Sequence, residues 1–242
     1  MWASAPETRQ IRVPPSTPNT PRPGVILEHA PTGPAGRLAA WAEDRGIPFT
    51  VHRSWEQSPN LDPTDYGWVA SLGSEHSVNQ SEPAWIATEI EFLRSAVDAD
   101  VPVLGLCWGA EALSVALGGR VGPAPVTEKG WVTIDSTDPE VPAGPWLFYH
   151  SEVFSVPDGA TAVGSSPAGP AGFRVGPHLA VQFHPEADAA IAAGWANKDA
   201  EQTDASRAAL RAQGERCDAE AGALAPVLFD SWWAGVSARA AS

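Results

Sequence analysis

A strand that ends in a sharp turn and opens directly into a helix is written into residues 101–117, and few folds can accommodate that sequence of events. Val101-Pro102-Val103-Leu104 is apolar, Gly105-Leu106-Cys107-Trp108-Gly109 follows, and an apolar-periodic run extends from Ala110 to Leu117. Lifting one side chain to the top of a sheet needs small residues on both sides of it. Gly105 and Gly109 supply them as in a G-x-S-x-G elbow, with cysteine where the serine would stand. The helix that starts here aims its positive end and free N–H groups at the sulfur, which favours thiolate over a thiol whose reference pKa is about 8.5. Cys107 therefore reads as a nucleophile. The backbone N–H of Trp108 sits where elbow enzymes donate to an oxyanion, while its indole has a packing role open to it.

A base and its orienting acid are expected downstream. His178 to Phe183 reads as a short strand running into His184-Pro185-Glu186. In extended backbone, residues i and i+2 face the same way, so Glu186 can accept from one imidazole nitrogen of His184 while the other faces Cys107. An α/β-hydrolase would place its acid between nucleophile and histidine. Here the order is Cys, His, Glu.

From Gly24 onward, strands and helices are predicted to alternate: strands at Val25–His29, Pro48–His52, Gly67–Leu72 and Val101–Leu106, helices at Gly36–Arg45 and Pro83–Ala99. Such alternation implies an α/β fold of three layers, a mostly parallel central sheet with helices on both faces and reactive residues at the carboxyl ends of the strands. Gly130–Val156 reads as the mixed edge of that sheet, Thr203–Leu224 as one amphipathic helix and Val227–Arg239 as another. Residues 1–23 hold six prolines and no apolar periodicity, so they read as a flexible arm preceding one domain over 24–242.

At 242 residues with a formal net charge of -14, the chain is large enough for a sizeable core and ill-suited to a polyanionic partner. Nucleic acid is therefore excluded from the expected partners. Two cysteines, Cys107 and Cys217, make no disulfide framework. Without an apolar run near 18 residues or a signal-like N-terminus, the expectation is a cytoplasmic enzyme with reduced thiols and no membrane contact. No His/Cys/Asp/Glu cluster has metal-ligand spacing, and neither G-x-G-x-x-G nor G-x-x-x-x-G-K-[ST] occurs, so no metal, cofactor or nucleotide-activating site is implied.

Together, Val103 to Ala110 and Gln182-Phe183-His184-Pro185-Glu186 resemble the two catalytic motifs of the class I, or triad, glutamine amidotransferases. The nearest resemblance is to stand-alone proteins similar to the amidotransferase domain of GMP synthetase. Val25–Pro31, Val69–Val78, Leu117–Val121 and Gly130-Trp131 fall in the family's order. The resemblance implies a flavodoxin-like class I amidotransferase fold and a second oxyanion donor from a Gly-Gly-Pro-like turn. This chain has Leu72-Gly73-Ser74-Glu75 there, a degraded version in which the Ser74 N–H could still serve. It also implies that Glu111 occupies the place of a glutamine that holds the amino-acid end of the substrate. A carboxylate there would pair with an α-ammonium, and γ-glutamyl hydrolases of the superfamily carry Cys-x-Gly-x-Glu; a solvated first-turn acid is the plain alternative. Tyr149-His150-Ser151-Glu152 resembles a His-Gly-Asp stretch that approaches the glutamine site, although a histidine at a strand end is often structural. His29, His52, His76 and His178 read as structural or solvated.

The resemblance implies a glutaminase that passes through a γ-glutamyl thioester on Cys107 and supplies ammonia to a separate synthetase or ligase. Two alternatives stay open: a γ-glutamyl hydrolase that releases an organic amine, and a silent binding or regulatory module that keeps the fold.

Overall fold

The computed structural model describes residues 22–240, so the arm expected over residues 1–23 lies almost wholly outside the described residues. Its last two residues are hydrogen-bonded to the domain: Arg22 donates to Thr64 O at 2.8 Å, and Pro23 O accepts from Gly67 N at 3.0 Å.

The elements alternate as the apolar runs demand. They are β1 (Gly24–Glu28), α1 (Gly36–Asp44), β2 (Phe49–Arg53), β3 (Trp68–Ser71), α2 (Trp85–Asp98), β4 (Val103–Leu106) and α3 (Trp108–Ala116). The second half holds β5 (Val121–Val132), β6 (Asp135–Ser136), β7 (Trp146–Phe154), β8 (Thr161–Ser166), β9 (Gly169–Val175), β10 (His178–Val181), α4 (Ala189–Lys198) and α5 (Asp204–Ala240). An eight-stranded sheet runs β2-β1-β3-β4-β10-β9-β8-β6, parallel from β2 to β10 and antiparallel beyond. Alternation along the strands explains why both faces are covered. Ile26, Ala70, Leu104, Leu106, Leu179 and Val181 point into one core beneath α1 and α5, whereas Val25, Leu27, Val69, Val103 and Ala180 point into another beneath α2 and α3. The sheet is thus three-layered and mostly parallel, and it lifts the carboxyl ends of β1, β3, β4 and β10 to one rim.

Two expectations need correction. Most of Gly130–Val156 lies outside the main sheet; within that stretch only β6 (Asp135–Ser136) joins it, as its edge strand. β5 and β7 pair antiparallel as a separate ribbon, with Glu128 opposite His150. The ribbon needs cover on both faces: Trp146 and Phe148 enter the core under α5, while Leu147 and Tyr149 pack with Trp131 against α4 and α5. The rest of the antiparallel edge, beside β6, comes from β8 and β9.

The second correction concerns the C-terminal region, where one 37-residue helix replaces the two expected, with Pro226 inside it. Ala221, Ala225, Leu228, Phe229, Trp232 and Val236 make one buried stripe that continues through the proline. Burying a large apolar side chain is worth about 1.5–3 kcal/mol, so several together outweigh the roughly 3 kcal/mol an interior proline costs.

Candidate active site

Cys107 occupies the elbow between β4 and α3 with φ 51° and ψ −109°, a left-handed conformation that costs a non-glycine residue about 1–3 kcal/mol. Its neighbours keep it there. Cys107 N donates to Val181 O at 2.8 Å, tying the turn to β10, while Cys107 O accepts from Ala110 N and Glu111 N at 2.9 and 3.1 Å. The flanking glycines are required by close approach. A Cβ on Gly109 would lie 2.0 Å from Ser71 O, and one on Gly105 would lie 2.6 Å from Gly109 O. Trp108 turns its indole away from the cleft into the helix-side core, against Trp85 and His29.

His184 follows β10, with its own N–H donating to Leu147 O at 2.8 Å. Its Nδ1 bonds Glu186 Oε1 at 2.8 Å. The backbone that makes this pair is not the extended strand expected from the i, i+2 spacing. Residues 185 and 186 form a turn in which Ala187 N returns to His184 O at 3.4 Å, because the strand's ladder ends at Val181. The start of α1 braces the turn: Arg37 N donates to Glu186 O at 2.9 Å, and a Cβ on Gly36, at φ +45°, would lie 2.3 Å from that same oxygen. Arg37 also donates to Ala187 O and reaches Asp218 Oδ1 at 2.6 Å, while that Asp218 oxygen accepts from Ala189 N at 3.0 Å.

The imidazole of His184 is fixed on three sides. Trp195 of α4 packs on it at 4.6 Å between ring centroids, and a Cβ on Gly73 would lie 2.6 Å from its Cε1. Cys107 is its remaining hydrogen-bond partner. Burial disfavours the charged ring, but the charges of Cys107 and Glu186 and their hydrogen bonds prevail and push its pKa up to about 10.

Cys107 and His184 open onto a cleft of about 730 Å³, within the range of about 300–1,000 Å³ for small-molecule sites. Gly73 and Ser74 line one side of it, and His150, Ser151 and Glu152 line another. His150 is braced rather than free: Nδ1 bonds Glu152 O at 2.7 Å and Nε2 bonds the buried Glu128 at 3.0 Å. Glu111 is not a solvated helix acid. It is buried at the cleft floor, where its Oε1 accepts from Gln182 Nε2 at 3.0 Å, and that amide lies 3.9 Å from Cys107 Sγ. Burial, opposed by the Gln182 bond and assisted by the charge of Glu152, raises the Glu111 carboxyl to about 7.

Sequence reasoning passed over several lining groups. Trp195 and Lys198 come from α4, whose start is marked by Asp188 accepting from Ile191 N at 2.8 Å; an aspartate ahead of an alanine-rich run was the available signal. Tyr149 OH and Lys129 Nζ both reach Asp199 Oδ2, at 2.8 and 2.6 Å, and close the far end of the cleft. Of the histidines set aside, His178 is buried, with burial lowering its pKa to about 4. Among the described residues, no group of three His, Cys, Asp or Glu could hold a metal ion, and no helix is long and apolar enough to cross a membrane.

Residues 76–192 match the family model described as "Glutamine amidotransferase class-I". GMP synthase [glutamine-hydrolyzing] of Acinetobacter baylyi is 33% identical over 133 residues, 50% of this chain and 23% of that protein. The same-named protein of Neisseria meningitidis serogroup B is 29% identical over 102 residues, 37% of this chain and 20% of its own length. The matched region thus spans about a fifth of these curated relatives. A glutamine amido transferase from Methylobacillus flagellatus superposes with a TM-score of 0.79 at 25% identity, covering 89% of this chain and 96% of that one. A Thermotoga maritima glutamine amidotransferase at 20% identity shares the fold, with a TM-score of 0.77 over 87% of this chain and 98% of its own. The fold is shared along most of the chain, and residues 76–192, which carry both the elbow and the histidine turn, form a segment with the sequence pattern of the class I glutamine amidotransferases.

Proposed function

We propose that the protein hydrolyses the side-chain amide of glutamine and supplies the ammonia to a separate synthetase. The observation that carries this reading is His184, bonded to Glu186 through Nδ1, facing Cys107, and holding its proton up to a pKa of about 10. That arrangement sets a proton-bearing imidazole beside the nucleophilic sulfur. The thiolate attacks the carboxamide carbon, and the oxyanion is met by backbone N–H groups of Trp108 and Ser74. His184 gives its Nε2 proton to the departing nitrogen, which leaves as ammonia and creates the γ-glutamyl thioester. Neutral His184 then takes a proton from water, the hydroxide adds to the thioester, and glutamate departs as the thiolate returns. Glu186 keeps the ring oriented throughout. Glu111, when ionised, pairs with the substrate's α-ammonium.

A synthetase partner is suggested by the curated relatives, whose names join GMP synthesis to glutamine hydrolysis in chains about five times longer than the matched region. A second reading, a γ-glutamyl hydrolase, draws on Glu111 at the cleft floor and on a cleft far larger than a glutamine side chain fills. Glutamate release from glutamine and from a panel of γ-glutamyl amines, with and without purified synthetases, separates them. Slow glutamine turnover that a partner accelerates supports the amidotransferase; fast turnover of a γ-glutamyl amine with glutamine ignored supports the hydrolase.

A further inference from the structure

Beneath the Gly73–Ser74 turn lies a polar cluster that the chemistry above does not use. Glu89 of α2 is fully buried, and its carboxyl group accepts from Ser71 Oγ at 2.7 Å and Ser54 Oγ at 2.9 Å and is hydrogen-bonded to His29 Nε2 at 2.9 Å. His29 lies at the end of β1, stacked on Trp85 at 4.7 Å and 9°, with Trp108 at 4.7 Å on a tilted plane. Its Nδ1 meets Gly73 O at 3.0 Å. A carbonyl oxygen can only accept, so this bond fixes a proton on Nδ1.

The carbonyl of Gly73 and the N–H of Ser74 belong to one peptide group. The only cis bonds among the described residues are Glu82-Pro83 and Gly144-Pro145, so this peptide is trans and its N–H points opposite to its C=O. With the oxygen drawn back toward buried His29, the Ser74 N–H is turned toward the cleft that Ser74 and Cys107 line together. We propose that Glu89 and His29 are positioning residues: they anchor the Gly73–Ser74 peptide so that its N–H stands ready for the oxyanion formed when Cys107 adds to a carbonyl. The inference rests on Cys107 being the acyl-accepting nucleophile of the proposed function. It also explains how a turn without the family's second glycine and proline keeps a defined peptide orientation: the restraint comes from behind the turn instead of from its own sequence. A buried His–Glu pair is a poor way to gain stability, since apolar residues of similar volume often do as well or better, and a directional role accounts for its presence. Hydrogen bonding at the oxygen also polarises the N–H on the other side of the same peptide.

The test compares two reactions of Cys107 in a Cys217→Ser background. Acylation by p-nitrophenyl acetate passes through a tetrahedral oxyanion and releases one nitrophenolate. Alkylation by iodoacetamide displaces iodide at a saturated carbon and builds no oxyanion. His29→Phe keeps the stacking and removes the donor, and it should lower the acylation rate constant about 10- to 100-fold relative to alkylation, short of the roughly 10²–10³ lost when an oxyanion donor is deleted. His29→Asn places an amide N–H at the position of Nδ1 and should recover most of that loss, although it too forgoes the Glu89 bond. Should His29→Phe fail to fold, the double variant His29→Leu/Glu89→Leu leaves no charge unpaired and makes the same comparison. An unchanged ratio in the donor-lacking variant, an equal fall in both rates, a His29→Asn no better than His29→Phe, or a wild-type protein that is alkylated but never acylated would each overturn the proposal. Glutamine takes no part in this measurement, so failure of the glutaminase reading shows separately, in the substrate panel.

Discussion

Replacing Glu111 with glutamine should change the protein's stability in a way that depends on pH, and the size of the effect follows from where the carboxyl sits. Burial at the cleft floor raises its pKa from 4.5 to about 7, the bond from Gln182 opposing and Glu152 assisting. Between those values the folded state binds more protons at this site than the unfolded chain, so stability falls as pH rises through the window and the full cost is present above about 7. At about 1.4 kcal/mol per pH unit, the gap amounts to roughly 3 kcal/mol. Glu111→Gln removes the titration. Its Oε1 can keep the bond from Gln182 Nε2, and its own N–H can reach Gln182 Oε1, which lacks a partner among the described residues. The variant should therefore match the wild type near pH 4.5 and exceed it by about 3 kcal/mol at pH 8, a large share of a typical 5–15 kcal/mol. Urea melts followed by tryptophan fluorescence at intervals from pH 4.5 to 8 measure the difference. A difference that stays flat, or one that favours the wild type increasingly as pH rises, would refute both the burial argument and the titration assigned to Glu111.

In kinetics, the same substitution should raise KM for glutamine above pH 7 with a smaller change in kcat, and KM of the wild type should itself rise as pH falls below about 7; identical KM profiles would remove Glu111 from the substrate site. Cys107→Ala and His184→Ala should each abolish turnover, while Glu186→Gln leaves a remainder down by about 10²–10⁴, and full activity without His184 would mean another base serves. Gly73→Ala brings a Cβ to 2.6 Å from His184 Cε1 and should lower kcat at least about tenfold with the melting temperature little changed, as steady-state rates and thermal melts would show. A diazo-ketone analogue of glutamine should alkylate Cys107 and spare Cys217, since only the former stands at a helix start beside a base; peptide mapping with label mainly on Cys217 would contradict the elbow's role.

The elbow was legible because its constraints are local: two glycines, a cysteine, an apolar strand before and an apolar helix after lie within about fifteen residues. The parallel half of the sheet was legible for a similar reason, since strands buried on both faces read as continuous apolar runs. β8 and β9 escaped because Thr161–Val175 is built largely of Gly, Ala, Ser and Pro, which leave no alternation to detect. The ribbon of β5 and β7 was misplaced because its apolar residues are spent on two different neighbours, a choice made by tertiary packing. His184 and Glu186 do meet, yet through a turn that an i, i+2 rule for strands could not foresee. His29 was invisible as anything but a lone histidine. Its partners Glu89 and Gly73 are 60 and 44 residues away, and only the folded chain puts a hydrogen-bond partner on each side of the ring.

The brace around the histidine turn ties the reactive centre to the order in which the chain is made. Arg37, near the start of the described chain, and Asp218, on the last helix, are separated by 181 residues, yet together they hold the backbone at Ala187 and Ala189 just beyond Glu186. Domains fold as synthesis proceeds from the N-terminus, so the elbow and its helix can assemble before Asp218 has emerged. Through that interval the turn after His184 lacks the contacts that Asp218 makes to Arg37 and Ala189. Under the proposed function, a nascent or clipped chain lacking the C-terminal helix would keep Cys107 in its elbow and lose the Asp218 contacts behind the His184 turn, so glutamine turnover should require that helix.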